Sequence, residues 1–135
     1  MARADFQIRL EGGAFDGNWQ RFEPGSPISG TVQIVTDGDV KANHVWLRLQ
    51  WHTEGRGDRD QGKAGEMDLF QGVLTAQTPL AQSFHFTLPR EPWSYAGHYI
   101  NIIWEVTAEI DIPMAPDLRG SMPFILAPGA SGAQP

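Results

Sequence analysis

Between Ile100 and Ile112 the residues of one parity are Ile100, Ile102, Trp104, Val106, Ala108, Ile110 and Ile112. Those of the other are Asn101, Ile103, Glu105, Thr107, Glu109 and Asp111. Successive side chains of a strand point to opposite faces, so this period of two reads as a long strand with one buried face. Turn residues Pro89, Pro92 and Gly97 precede it. Nothing elsewhere reads as a sustained helix, and the chain is expected to be all-β.

Six further segments carry strand patterns between Gly, Pro and Asp breakers: Asp5 to Leu10, Ile28 to Thr36, His44 to His52, Met67 to Thr78, Gln82 to Leu88, and Ser121 to Leu126. The long strand itself is expected from Tyr99 to Ile112. Seven main strands imply two packed antiparallel sheets, because one open sheet would leave a hydrophobic face in water. Parity supplies the expected core: Val45, Leu47, Leu49 and Trp51 on the third strand, with Phe6, Ile8, Leu10, Val32, Ile34, Phe84, Phe86 and Leu88 packing around Trp104. Residues 1–127 are read as one sandwich domain and 128–135, PGASGAQP, as a flexible tail with no side chain large enough to pack. The segment Thr53 to Glu66, rich in glycine and polar groups, is expected to be a mobile hairpin tip. Asp37-Gly38-Asp39 is expected to form a hairpin turn rather than half a calcium loop.

Composition narrows function mainly by exclusion. The 135 residues include 16 acids and 10 bases, for a net charge of −6. The bases are scattered from Arg3 to Arg119, without the concentrated positive field that nucleic acid requires. No run reaches the roughly 18 apolar residues of a membrane span. The start has no secretory pattern, and cysteine is absent, so a cytoplasmic location is expected and a thiolate metal site is not.

The side chains that could carry chemistry are poorly arranged for it. His44 and His52 share a strand face but lie about 26 Å apart along it, too far to share an ion. His85 points away from the core, and His98 adjoins a turn glycine. Glu105, Glu109 and Asp111 read as a solvated outer face rather than as acid/base groups. Ser94, His98 and Glu91 lack the sequence context of a catalytic serine, and Arg56-Gly57-Asp58 is simplest as a solvated loop. No catalytic residue, cofactor or metal is expected. Large aromatics beside polar groups are the better signal: Trp46 shares its face with Arg48, while Trp93 and Tyr95 lie in the turn before the long strand. These four are the candidate protein-binding residues, with pairing at an open sheet edge as the alternative contact mode.

Two stretches extend this reading. Phe22-Glu23-Pro24-Gly25-Ser26-Pro27-Ile28-Ser29-Gly30-Thr31-Val32 resembles the aromatic-x-Pro-Gly-x-x-Val-x-Gly-x-Val segment that opens an early strand in the arrestin-type β-sandwich family, which includes Vps26 and the bacterial Spo0M-like proteins. Phe84-His85-Phe86-Thr87-Leu88-Pro89, then Pro92, Ser94 and Gly97, then the strand ending at Asp111, is similar to a second family segment. The resemblance runs from Phe6 to Leu126. It implies an immunoglobulin-like, arrestin-like sandwich acting as a cytoplasmic adaptor or scaffold without catalysis. Members pair two sandwiches where this chain has one, so none of the residues of a phosphate-sensing polar core is carried over. Homo-oligomerisation is a further expectation. The main alternative is a carbohydrate-binding module stacking sugars on Trp46, Trp93 or Tyr95; the third is a small hydrolase using His85, Glu105 or Glu109.

Overall fold

The computed structural model describes residues 3–57, 59–97 and 100–128, with the backbone alone at Asp16 and Ile100. Every regular element among them is a strand: β1 (Ala4–Glu11), β2 (Ala14–Asp16), β3 (Trp19–Phe22), β4 (Pro27–Thr36), β5 (Val40–Gly55), β6 (Gln61–Leu74), β7 (Leu80–Thr87), β8 (Tyr95–Ala96), β9 (Ile100–Asp111) and β10 (Leu118–Leu126). One sheet has the order β1-β4-β7. The other runs β2-β3-β10-β9-β5-β6, with β8 beside the start of β9.

Alternation decides which faces meet. Ile8 and Leu10 on β1, Ile28, Val32 and Ile34 on β4, and Phe84 and Phe86 on β7 form one inner face. Val45, Leu47 and Leu49 on β5, Trp104, Val106, Ala108 and Ile110 on β9, and Phe124 and Leu126 on β10 form the other. Each buried aliphatic or aromatic side chain contributes about 2 kcal/mol, and a one-residue slip would turn a whole row outward, so the rows hold the register. Phe6 and Trp51 are half-buried against this core rather than inside it.

Four expectations change. Asp37-Gly38-Asp39 is not a hairpin turn: β4 and β5 belong to different sheets, and these residues carry the chain from one layer to the other. Their carboxylates hold neighbouring segments, Asp37 accepting from Arg3 N and Asp39 from Ala76 N. Thr53 to Glu66 is mostly paired strand. The β5–β6 ladder extends to His52 opposite Gln61, and Thr53 N donates to Asp60 O beyond it. Strand β6 correspondingly starts at Gln61 and ends at Leu74, short of Thr78. The outer acids of β9 are not a solvated row, because Glu109 is buried. Asp58, His98, Tyr99 and residues 129–135 lie outside the described residues.

Two local features follow from close approach. Pro123 stands inside β10 opposite Glu105 of β9. Proline is tolerated where one strand edge has no partner to receive an N–H, and on its far side β10 meets β3 only at Ile125 and Leu126. At Gly30, a Cβ would lie 1.9 Å from the Arg9 carbonyl oxygen and 2.9 Å from the Phe84 ring. Gly30→Ala is therefore expected to lower unfolding free energy by about 3 kcal/mol, the upper end of overpacking costs. A urea midpoint equal to wild type would refute that close approach.

Candidate functional site

The outer face of the larger sheet carries three zones along β5 and β9. At one end, Trp46 is half-buried, its ring stacked on His44 with centroids 4.6 Å apart, and the Arg48 guanidinium lies 5.5 Å from the indole centroid. His44 Nδ1 is 2.8 Å from an Asp68 carboxylate oxygen. A hydrogen bond from Gln71, together with His44, holds the Asp68 carboxyl below the usual carboxylate range.

In the middle lies an ion-pair network. Glu109 on β9 accepts hydrogen bonds from Arg48 on β5 and, at 2.6 Å, from Arg119 on β10; Arg48 also donates to Glu66 on β6 at 2.7 Å. The arrangement spans four adjacent strands. Burial pushes the Glu109 carboxyl up, but the two arginine hydrogen bonds and their charges together outweigh it and leave it below its ordinary value. Glu66 is lowered in the same direction, chiefly by Arg48. Beside this network a polar concavity of about 590 Å³ is lined by Gln50, Trp51, His52, Lys63, Glu105 and Arg119.

The third zone, at the start of β9, is apolar. A cleft of about 340 Å³ is lined by Trp19, Tyr95, Ile102, Ile103, Phe124 and Ile125, together with Ser94, Ala96 and Asn101. Its wall is built from the core outward. Trp104 is completely buried, so its indole N–H needs an internal acceptor. It donates to Pro92 O at 2.7 Å. Two residues on, Ser94 N donates to Leu126 O at 2.7 Å and Ser94 Oγ accepts from Leu126 N at 2.9 Å. This double link ties the segment to the end of β10, and Tyr95 then pairs with Ile102. Ser94 is thus a structural bridge. Trp93 and Tyr95 remain 51% and 59% exposed, and Trp19 on β3 is 42% exposed.

The four candidate residues therefore do not form one patch. Trp46 pairs with Glu109 on β9 and Tyr95 with Ile102, seven residues or about 23 Å along that strand. Trp46 and Arg48 are engaged by neighbouring side chains at one end; Trp93 and Tyr95 are exposed near the other, where Trp93 Nε1 donates to Arg90 O. The lining residues Trp19, Ile103 and Ile125 were not among the candidates. Ile103 was visible as an apolar residue on the polar parity of β9, and Ile125 lies between Phe124 and Leu126, whose side chains point inward. The acid/base candidates are also separated: His85 is exposed on the smaller sheet, whereas Glu105 and Glu109 belong to the larger one. Among the described residues no three His, Asp or Glu side chains converge to hold a metal.

No family model matches this sequence, and no curated protein matches it. The crystal structure of Spo0M, a sporulation control protein from Bacillus subtilis, superposes on 93% of the chain with a TM-score of 0.64 at 16% sequence identity. The fold is the arrestin-like β-sandwich. The match covers 49% of the Spo0M chain, so this sandwich spans about half that protein's length. No helix among the described residues is long and apolar enough to cross a membrane. Within this arrestin-like sandwich the expected Pro92-x-Ser94 motif acquires a physical role, since both residues supply the backbone and hydroxyl groups that fasten the turn to Trp104 and β10.

The network has a pH signature. A carboxyl lowered by folding contributes stability above its unfolded pKa, near 4.3, and loses it as pH falls through the folded value. Glu109→Gln should cost about 2 kcal/mol at pH 7, the scale of charge-assisted hydrogen bonds. The difference from wild type should shrink on acidification below pH ~4. Urea unfolding at pH 7 and pH 3 measures both; an equal difference at the two values would remove the carboxylate as its source.

Proposed function

We propose that this arrestin-like sandwich is a non-catalytic adaptor or scaffold module that binds a protein partner at the Trp19–Tyr95 cleft. The observation that carries this reading is a cleft flanked by exposed Trp19 and Tyr95, with exposed Trp93 two residues before Tyr95, at the end of a sheet face where Ile103 and Ile125 also point outward. Sheet faces turned to water are ordinarily polar, and aromatic side chains around an apolar floor are the composition of binding hot spots. Among the described residues the cleft lining holds no carboxylate, imidazole or amine, and its Ser94 hydroxyl is committed to Leu126. A regulatory role in the cytoplasm agrees with the likeness to a sporulation control protein, and the partner is expected to present an apolar or aromatic side chain to the cleft.

Trp93→Ala combined with Tyr95→Ala should weaken partner binding at least about 30-fold, the scale of two hot-spot truncations, while shifting stability by less than about 1 kcal/mol because both side chains are exposed. Quantitative affinity purification with mass spectrometry identifies the partners, and titration of each purified partner supplies the affinities. Retention of every partner by the folded double variant would defeat the cleft assignment. The same measurement on Trp46→Ala tests the opposite end of the face, where a loss larger than that of the double variant would move the contact to Trp46 and Arg48.

A further inference from the structure

A second contact surface is carried by strand β7. It borders the smaller sheet, paired to β4 on one side, and among the described residues no strand is hydrogen-bonded to the other. Exposed strand edges invite pairing with another chain, and proteins ordinarily block them with charge, proline, bulges, short length or a covering segment. The other borders carry such devices. Strand β2 is three residues long. Strand β6 carries Lys63, Glu66 and Asp68, and its ladder with β5 is broken by register shifts. Strand β1 is flanked by β10, whose Gly120 backbone lies against Phe6.

Strand β7 has none of these devices along most of its length. It runs Leu-Ala-Gln-Ser-Phe-His-Phe-Thr, with neither a charged carboxylate or amine nor a proline, in unbroken register with β4 from Thr87 opposite Pro27 to Leu80 opposite Ile34. Strand β6 approaches it near Phe86, whose ring lies against Gly65. Toward Leu80 the edge is open: Ala81, Gln82 and Ser83 are all exposed, including Gln82 on the inward parity. The charged side chains of this sheet's outer face, Asp5, Arg9 and Glu11, are on β1, two strands or about 10 Å away. The chain's net negative charge is therefore not concentrated at this edge.

We propose that β7 is a self-association edge, at which two copies of the chain join by antiparallel β7–β7 pairing into a continuous six-stranded sheet. A two-fold axis perpendicular to the sheet makes such a contact isologous and closed, so it yields a dimer and not a filament. Parity fixes the register further. Directly opposed residues of an antiparallel pair share a face, so an outward residue must meet an outward residue. With β6 crossing near Phe86, the register that uses the open part of the strand places Ser83 opposite its own copy and Ala81 opposite His85. This contact is separate from the Trp19–Tyr95 cleft and does not depend on the adaptor reading.

Light scattering across a concentration series should give a mass rising from monomer to dimer. Ala81→Lys combined with Ser83→Lys places like charges across the axis at exposed positions and should raise the dimer dissociation constant at least about tenfold, with an unchanged circular dichroism spectrum. The chain has no cysteine, so Ser83→Cys introduces a unique thiol. Across the axis the two Cα atoms would lie about 4.5–5.5 Å apart, within disulfide range, and mild oxidation should lock the dimer. Gln33→Cys, on the same face of β4 but opposite Ala81 and so displaced along the strand from the axis, would be about 20 Å from its copy and should not cross-link. A monomeric mass at all concentrations, a dimer indifferent to the lysines, or equal cross-linking at positions 33 and 83 would each overturn the proposal. Should the lysine variant misfold, the two cysteine variants decide alone.

Discussion

The hydrogen bond from the Trp104 indole to Pro92 O holds together the end of this molecule that carries the apolar cleft. An indole buried without an acceptor would lose the hydrogen bond it makes in water, at a cost of about 1–3 kcal/mol. Meeting that need draws the turn before β9 onto the core. The Phe124 ring lies 6.0 Å from Trp104, and Phe22 meets Phe124 edge-on at 5.6 Å, so three strands of the larger sheet share one aromatic cluster. Ser94 then continues the attachment to β10, and Tyr95 is presented to solvent from a backbone that is held on both sides. An aromatic residue on such a support loses little conformational freedom on binding, which is the advantage of preorganisation.

The inner faces were legible in the chain because their determinant is local. Val45, Leu47 and Leu49 on β5, and Trp104 through Ile110 on β9, occupy the faces that alternation assigns them. Glu109 was read as solvated because its parity is that of the outer face. Its burial depends on Arg48 and Arg119, contributed by the neighbouring strands, and no pattern within β9 announces them. The Thr53–Glu66 segment misled for the converse reason: strands in a ribbon can pair through backbone hydrogen bonds without burying side chains, so polar composition there does not mean loop. Trp93 and Tyr95 stood out as aromatics in a turn. Trp19 did not, since a four-residue strand offers too little alternation to recognise.

The Arg48–Glu109–Arg119 arrangement has a role distinct from that of the apolar core. Buried ion pairs contribute modestly to net stability, because desolvation offsets their attraction, yet removing one member leaves charge unpaired. Here the charged groups link β6, β5, β9 and β10 on the face opposite the core. Sliding β9 against either neighbour would separate Glu109 from one arginine as well as misalign the inner row. Two different forces, one on each face, thus enforce the same register.

The position of β10 bears on how the chain acquires its shape during synthesis. Strand β10, the last of the described strands, lies between β3, near the beginning, and β9. Until residues 118–126 leave the ribosome, the β2–β3 hairpin has no place in the larger sheet, and β9 has an open border along most of its length. Phe124 and Leu126 also arrive only then, so the aromatic cluster under the cleft cannot close earlier. Assembly of the cleft end therefore waits for β10, and a nascent chain stopped before it exposes the edges and apolar surface that the folded sandwich conceals.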